Sequence, residues 1–372
     1  MFIMEVYYFN RLMQGRKRMS PYFINIAVFL MYSPIFIYLN KKNKFFSKLY
    51  YFIVIIQLTF LLSVRYITVG NDTSSYVQAY LMQVPNSTLY GLLRHVIWIL
   101  SDGNYHIFLF TLSFTTIFCF VLALKLNSDD LSKNFWALLT FLMFFYIDCF
   151  NIERQMMATA IAFLGISLLI NQHKKLLPLF LFAIAFGIHN VTVCLFVGII
   201  IWSLRNRKSL YWELILIAIP FVLFSSTLFG LFSKFNSHYE MYAISSGGYQ
   251  NSGGVIIFGL FFLILSLIGI ICTDIRYEGK NNFYLALVFL GSIISTVGYN
   301  SYIVTRIGEM FICFIIFIIA DVLGKISEQI RPYRLAYILV HVGFMLVGVL
   351  YLYVRLKKGY AGVVPYIFFW NA

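Results

Sequence analysis

The chain has 372 residues, of which 61% are apolar and only 11% charged, whereas soluble domains carry about 25% charged residues. Most of it must therefore face lipid or other apolar helices, and the long continuous apolar runs, which do not alternate, exclude a transmembrane barrel. The net charge of +14 is scattered in short clusters between those runs, which excludes a nucleic-acid-binding domain and fits the connecting loops of a membrane protein.

The pattern predicts an all-α polytopic integral membrane protein that crosses the bilayer about ten to twelve times. A basic extension, residues 1–20, carries Arg11, Arg16, Lys17 and Arg18. Apolar segments follow near 21–39, 49–64, 105–124, 135–150, 154–170, 176–189, 191–204, 212–232, 255–272, 283–298, 307–323 and 335–354, making a single transmembrane domain over 21–354. Residues 355–372 form a C-terminal tail. The first apolar run lacks a small-residue exit site, so no cleavable signal peptide is expected. Two connections are longer, about 65–104 and 233–254, the second with a Gly/Ser-rich stretch from Ser245 to Gly254. Within the first, Thr88 to Leu100 is predicted as an interfacial helix with Tyr90 and Trp98 at headgroup level. The five cysteines (Cys119, Cys149, Cys194, Cys272 and Cys313) lie in or beside apolar runs with no C-x-x-C spacing, so neither disulfides nor zinc are expected.

Of the 28 lysines and arginines, sixteen fall in one set of alternate connections, among them Lys41, Lys42, Lys44, Lys48, Lys174 and Arg207. Eight fall in the other set, and the remaining four sit on the extension, on the same side as the eight. The positive-inside rule then places both termini outside. The basic extension conflicts with that orientation; either Met19 is the start, or the extension does not translocate.

Charged side chains in or at the ends of membrane helices are costly, which makes each a functional candidate. Arg65 ends the second segment, and the turn Gly70-Asn71-Asp72 follows, with Tyr76 beyond it. Arg154 and Gln155 open the fifth segment, His189 and Asn190 occupy the break between the sixth and seventh, and Arg306 and Glu309 open the eleventh. With the orientation above, all meet at the outer face. Each also has a structural reading. Arg65 alone is compatible with a snorkelling anchor, and Asp72 with a turn residue. Arg154 precedes Ala158, Ala160, Ala162 and Gly165, which suit close helix packing, and has Asp148 and Glu153 as possible ion-pair partners. His189 is compatible with a helix-end imidazole, and Arg306 with Glu309 forms an i,i+3 pair. His95, His106, His173, His238 and His341 rank lower, as loop or packing residues.

Several arginines with one His and one Asp, and no clustered metal ligands, suit an anionic phosphate substrate. Guanidinium groups bind phosphate oxygens bidentately and neutralise a leaving diphosphate, while a carboxylate or imidazole takes a proton from an attacking hydroxyl. Neither a metal nor a cofactor is expected.

The pattern Arg65-x4-Gly70-Asn71-Asp72-x3-Tyr76, then Asn151-x2-Arg154-Gln155-x2-Ala158, then Ala185-x3-His189-Asn190, resembles the EpsG-like branch of the Wzy-type polysaccharide polymerases. The ending Val364-Pro365-Tyr366 is similar too, and the likeness runs in order from Met19 onward. The resemblance implies a multi-spanning, lipid-linked-sugar glycosyltransferase of the bacterial cytoplasmic membrane with its active face outward. Its donor and acceptor would be undecaprenyl-diphosphate-linked oligosaccharides of an O-antigen or exopolysaccharide, the growing glycan passing to the next lipid-linked unit. Membrane lipids, a chain-length regulator and a flippase would be its partners, with no nucleic acid. It implies Asp72 as the catalytic acidic residue of the first outer loop, with His189 as the rival base. Arg65, Arg154, Arg306, Gln155, Asn190, Tyr76 and Glu309 would bind the diphosphate or glycan. Asn71 departs from the family, which usually has Thr or Ser there. A flippase of lipid-linked sugars and a membrane O-acyltransferase, for which His189-Asn190 is a superficial match, are the alternatives.

Overall fold

Within lipid a backbone can satisfy all its N–H and C=O groups along its own segment only as a helix, and the apolar runs accordingly form helices. The structure, a computed structural model, describes residues 19–172, 176–223, 253–272, 279–298, 302–330 and 332–371. The basic extension before Met19, residues 233–252 of the second long connection, and Tyr299 and Asn300 lie outside these residues. Among the described residues there is no strand, and one isolated β-bridge joins Arg65 to Phe368. The protein is an all-α, multi-pass membrane protein.

Among the described residues six helices are long and apolar enough to span a bilayer. In chain order the helices begin with α1 (Ser20–Asn40), α2 (Phe45–Ser63), α3 (Thr73–Leu81), α4 (Leu89–Leu100), α5 (Tyr105–Asn127), α6 (Leu131–Phe144), α7 (Asp148–Asn151), α8 (Glu153–Gln172) and α9 (Leu176–Ile188). A 3-10 turn over Asn190–Phe196 leads to α10 (Val197–Leu204), α11 (Leu210–Leu223), α12 (Gly253–Cys272), α13 (Gly279–Val297), α14 (Tyr302–Ile312), α15 (Ile319–Glu328) and α16 (Tyr333–Lys357). The span-length helices are α1, α2, α5, α8, α12 and α16, and the pair Val304–Phe317 with Ile319–Glu328, bent by 62°, makes a seventh if it is one span. Each predicted segment contains a helix, but several are shorter than a bilayer. The one expected over 135–150 stops at Phe144, and the chain turns through α7 before α8 begins.

The chain forms two compact units, one of residues up to Thr192 with those from Gly343 onward, the other Val193–Val342. In the first unit α8 is the central helix, buried on nearly every side and packed between α5 and α9. Its small residues allow this: a Cβ added at Gly165 would stand 3.4 Å from the Pro178 carbonyl of α9. Polar bonds join α1 to α2, where Gln57 Nε2 donates to the Asn25 carbonyl (2.7 Å) and Tyr32 donates to Gln57 Oε1 (2.6 Å). Ile24, Val28, Met31 and Ile35 on the other face of α1 are exposed, as lipid-facing residues should be.

Helix ends alternate between two levels. At one, Tyr22 of α1 donates to the Val363 carbonyl (2.6 Å) and Arg355 of α16 pairs with Asp148 (2.8 Å). At the other, Asn134 of α6 donates to the Tyr51 hydroxyl and the Ser128 carbonyl, both at 2.7 Å. The tail does not stay apart: it folds back along the first long connection, with Tyr66 N–H donating to the Ile367 carbonyl (2.8 Å) and Phe369 N–H to that of Val64 (3.0 Å). In the second unit α13 is the buried centre, packed against α12 and α14. Gly291 and Gly308 bring α13 and α14 so close that a Cβ on Gly291 would meet the Gly308 carbonyl at 2.6 Å.

In a background with the natural cysteines replaced, Asn71→Cys and Asn190→Cys should react with an impermeant thiol reagent from the same side of sealed membranes. Lys42→Cys and Ser132→Cys should react only from the opposite side. Opposite labelling of Asn71→Cys and Asn190→Cys would contradict this arrangement of helix ends.

Candidate active site

The site is built on a buried ion pair. Arg65, fully buried where α2 ends, donates through Nη2 to Glu153 Oε2 at 2.8 Å and through Nη1 to the Leu62 carbonyl. Ser113 of α5 donates to Glu153 Oε1 at 3.2 Å, so the carboxylate ties three helices together. Among the described residues Arg65 Nε has no hydrogen-bond partner, and the Phe150 ring, 5.7 Å from the guanidinium carbon, faces the cation. The opportunity for Arg154 to pair with Glu153 or Asp148 is thereby closed, because Arg65 takes the first and Arg355 the second.

Glu153 can reach Arg65 because the helix predicted over 135–150 is broken. Ile152 adopts ψ 47°, which stops α7 and lets α8 start afresh at Glu153. The break frees polar groups that the loop after α2 uses. The Thr73 hydroxyl lies 2.9 Å from both the Phe150 and Val69 carbonyls, and Asn151 Oδ1 accepts the Asp72 N–H at 3.0 Å. Gly70 turns at φ +95°, and any Cβ there would overlap the Phe150 carbonyl oxygen. Asp72, half-buried, stands at the N-terminus of α3, a helix the sequence did not reveal, and its carboxylate does not cap that helix.

Arg154, one residue beyond Glu153 and half-buried, turns toward a different neighbourhood. Its Nε donates to the Ile188 carbonyl at 2.5 Å, and its guanidinium carbon lies 4.8 Å from the centre of the Tyr90 ring. Among the described residues its two terminal nitrogens have no acceptor. Gln155 is buried on α8, whereas Asn190 is exposed. His189 is half-buried beside Ile188; its Nδ1 accepts the Val191 N–H at 3.3 Å and its carbonyl accepts the Thr192 hydroxyl at 2.7 Å. Tyr76 of α3 packs edge-on to Tyr90 at 6.4 Å.

The helix expected over Thr88 to Leu100 forms as α4, and Tyr90 is buried on it against Arg154 and Tyr76. The reason is local: α4 turns Leu92, Val96 and Ile99 outward and Tyr90, Arg94 and Ile97 inward. Burial first, and Glu153 second, push the Tyr90 phenol well above its ordinary range, while Arg154 and Arg94 pull it back down. The phenol is therefore a neutral O–H, and among the described residues it has no hydrogen-bond partner.

Arg65, Asp72, Tyr76, Arg154, Gln155, His189 and Asn190 thus all belong to the first unit, four separated stretches of the chain. Arg306 and Glu309 belong to the second unit, half-buried on α14. Sequence reasoning passed over Asn151 as an acceptor, Tyr90 as a ring beneath Arg154, and the Asp148–Arg355 pair. The last had a signal, since an acid and a base each beside apolar runs call for one another.

The sequence model of the EpsG family matches residues 48–368. The chain belongs to the EpsG family. Membership makes it a glycosyltransferase-like polysaccharide polymerase. No curated protein and no solved structure matches the chain. The family match runs from α2 to Phe368, so it takes in both sides of the Arg65–Phe368 bridge and the returning tail.

Removing one partner of the buried pair leaves the other charge uncompensated, at a cost of about 3–5 kcal/mol. Arg65→Ala and Glu153→Ala should therefore each lower the melting temperature of the purified protein sharply, and the double replacement Arg65→Leu/Glu153→Leu should cost less than the two singles together. Additive losses would mean that the pair does not act as a unit.

Proposed function

We propose that this polymerase elongates undecaprenyl-diphosphate-linked oligosaccharide repeat units at the outer face of the bacterial cytoplasmic membrane. The growing glycan passes from its lipid diphosphate to a hydroxyl of the next lipid-linked unit, and undecaprenyl diphosphate leaves. The observation that carries this reading is Arg154. Its guanidinium is held by one Nε bond and a ring face, and both terminal nitrogens remain for an anion. A planar fork held in this way matches two oxygens of a diphosphate and needs no reorganisation as negative charge develops on the leaving group.

Asp72 is the proposed general base for the attacking hydroxyl, with His189 as the rival on the stretch that also holds Arg154. Tyr76, Gln155 and Asn190 are proposed contacts to glycan or diphosphate. Arg65 is engaged by Glu153 and Leu62. It therefore serves the diphosphate by fixing the start of α8, one residue from Arg154. Arg306 and Glu309, on the second unit, are proposed contacts to diphosphate or glycan on their sequence pattern alone.

Arg154→Ala should lower elongation about 10²-fold or more, in the range seen for loss of one charge-stabilising donor. Arg154→Lys keeps the charge, loses the fork and should fall between that variant and the native protein. Native elongation by Arg154→Ala at normal expression would remove the basis of the reading. The two candidate bases separate in the same assay: Asp72→Asn should lose about 10²–10⁴-fold in rate while donor binding persists. If His189→Ala shows that loss and Asp72→Asn does not, the roles are exchanged.

A further inference from the structure

We infer that the C-terminal segment from Tyr360 to Phe368 and the side chain of Asn151 together set the position of Asp72, so that Asn151 and Gly362 are positioning residues for the sugar-transfer step. The inference rests on Asp72 being the group that receives the acceptor's proton.

Three consecutive amides lead into Asp72, and each is held by a partner distant in sequence. Gly70 N–H donates to the Gly362 carbonyl (3.1 Å), Asn71 N–H to that of Ala361 (2.9 Å), and Asp72 N–H to Asn151 Oδ1 (3.0 Å). The tail presents its two carbonyls through a left-handed turn, with Ala361 at φ 59° and Gly362 at φ +65°. Ala361 adopts a conformation that side chains avoid, and such backbone persists only where its surroundings over-determine it. The fit is also steric: a Cβ on Gly362 would overlap Asn71 Oδ1, so Asn71 and Gly362 are matched in shape.

The tail is itself anchored by buried groups. Arg355, paired with Asp148 at 2.8 Å and donating to the Phe144 carbonyl at 3.1 Å, lies with its guanidinium carbon 3.7 Å from the centre of the Tyr360 ring. Tyr22 donates to the Val363 carbonyl at 2.6 Å, and Tyr366 to that of Leu61 at 2.7 Å. The chain on either side of the left-handed turn is thereby fixed, and the turn fixes the loop. Asn151 comes from the broken stretch between α6 and α8, so the Asp72 backbone is held from two directions. A general base must stand within about 2.6–3.2 Å of the proton it takes. A displacement of about 1 Å costs on the order of a hundredfold in rate.

The test uses the full-length protein in proteoliposomes, with lipid-linked repeat units extracted from the producing strain after deletion of this gene. Asn151→Ala and Gly362→Ala should each lower kcat roughly 10- to 100-fold, with KM for the lipid-linked unit close to native. The melting temperature should stay close to native in Asn151→Ala and fall modestly in Gly362→Ala, where a side chain is placed at φ +65°. Adding Asn71→Ala to Gly362→Ala removes the oxygen that the new methyl meets and should restore part of the lost kcat, which a general weakening of the fold would not do. An inactive Asp72→Asn beside native kcat in Asn151→Ala and Gly362→Ala would overturn the inference while leaving the reading of Asp72 intact. Native elongation by Asp72→Asn would remove that reading, and the inference with it. Loss of kcat that tracks loss of folded protein, with no recovery on Asn71→Ala, would also overturn it.

Discussion

A charge taken out of water costs several kcal/mol unless its partner is placed to compensate, and in this protein Arg65 and Glu153 meet that condition for each other at 2.8 Å with both side chains buried. Much of the first unit's polar architecture follows from accommodating the pair. Glu153 must begin a helix at the level where α2 ends, so the preceding helix has to stop short. The short turn between them, α7, then exposes backbone carbonyls and Asn151 to the Asp72 loop. Non-helical backbone is tolerated inside a membrane protein where protein satisfies it, and Phe144 and Phe150 carbonyls are satisfied by Arg355 and Thr73.

The same pair sorts the arginines by what they can do. Arg65 is buried and commits both terminal nitrogens inside the protein, whereas Arg154, adjacent to Glu153, is held at one edge and has its terminal nitrogens uncommitted among the described residues. Adjacent residues on a helix point about 100° apart. One therefore secures the fold and its neighbour faces the other way, toward Tyr90 and the end of α9. Membership of the EpsG family makes the chain a glycosyltransferase-like polysaccharide polymerase, and in the proposed function Arg154 binds the anion while Arg65 has a structural role.

The fold class was legible because it rests on a local property, the length and continuity of apolar runs. So were the stretches around Arg65, Asp72, Arg154 and His189, since charged or polar residues at the ends of apolar runs stand out against their neighbours. What the sequence hid depends on partners far apart in the chain. Glu153 and Asp148 looked interchangeable as partners for Arg154 until α2 and α16 brought other arginines to them. Residues 135–150 are apolar enough to read as one helix, because the turn at Phe145 to Ile152 is stabilised by side chains from α16 and the Asp72 loop and by no local signal. The tail carried its own clue in Gly359 and Gly362, two residues suited to positive φ, but nothing local says that it returns to the loop after α2.

The central claim is that the chain joins lipid-linked repeat units to one another, and deletion of the gene followed by analysis of both glycan and lipid-linked intermediates tests it most directly. The account predicts that the ladder of long glycans collapses to a single repeat while complete lipid-linked units accumulate on the outer leaflet. Lipid-linked units confined to the inner leaflet, or a ladder of native length lacking only acyl groups, would contradict it.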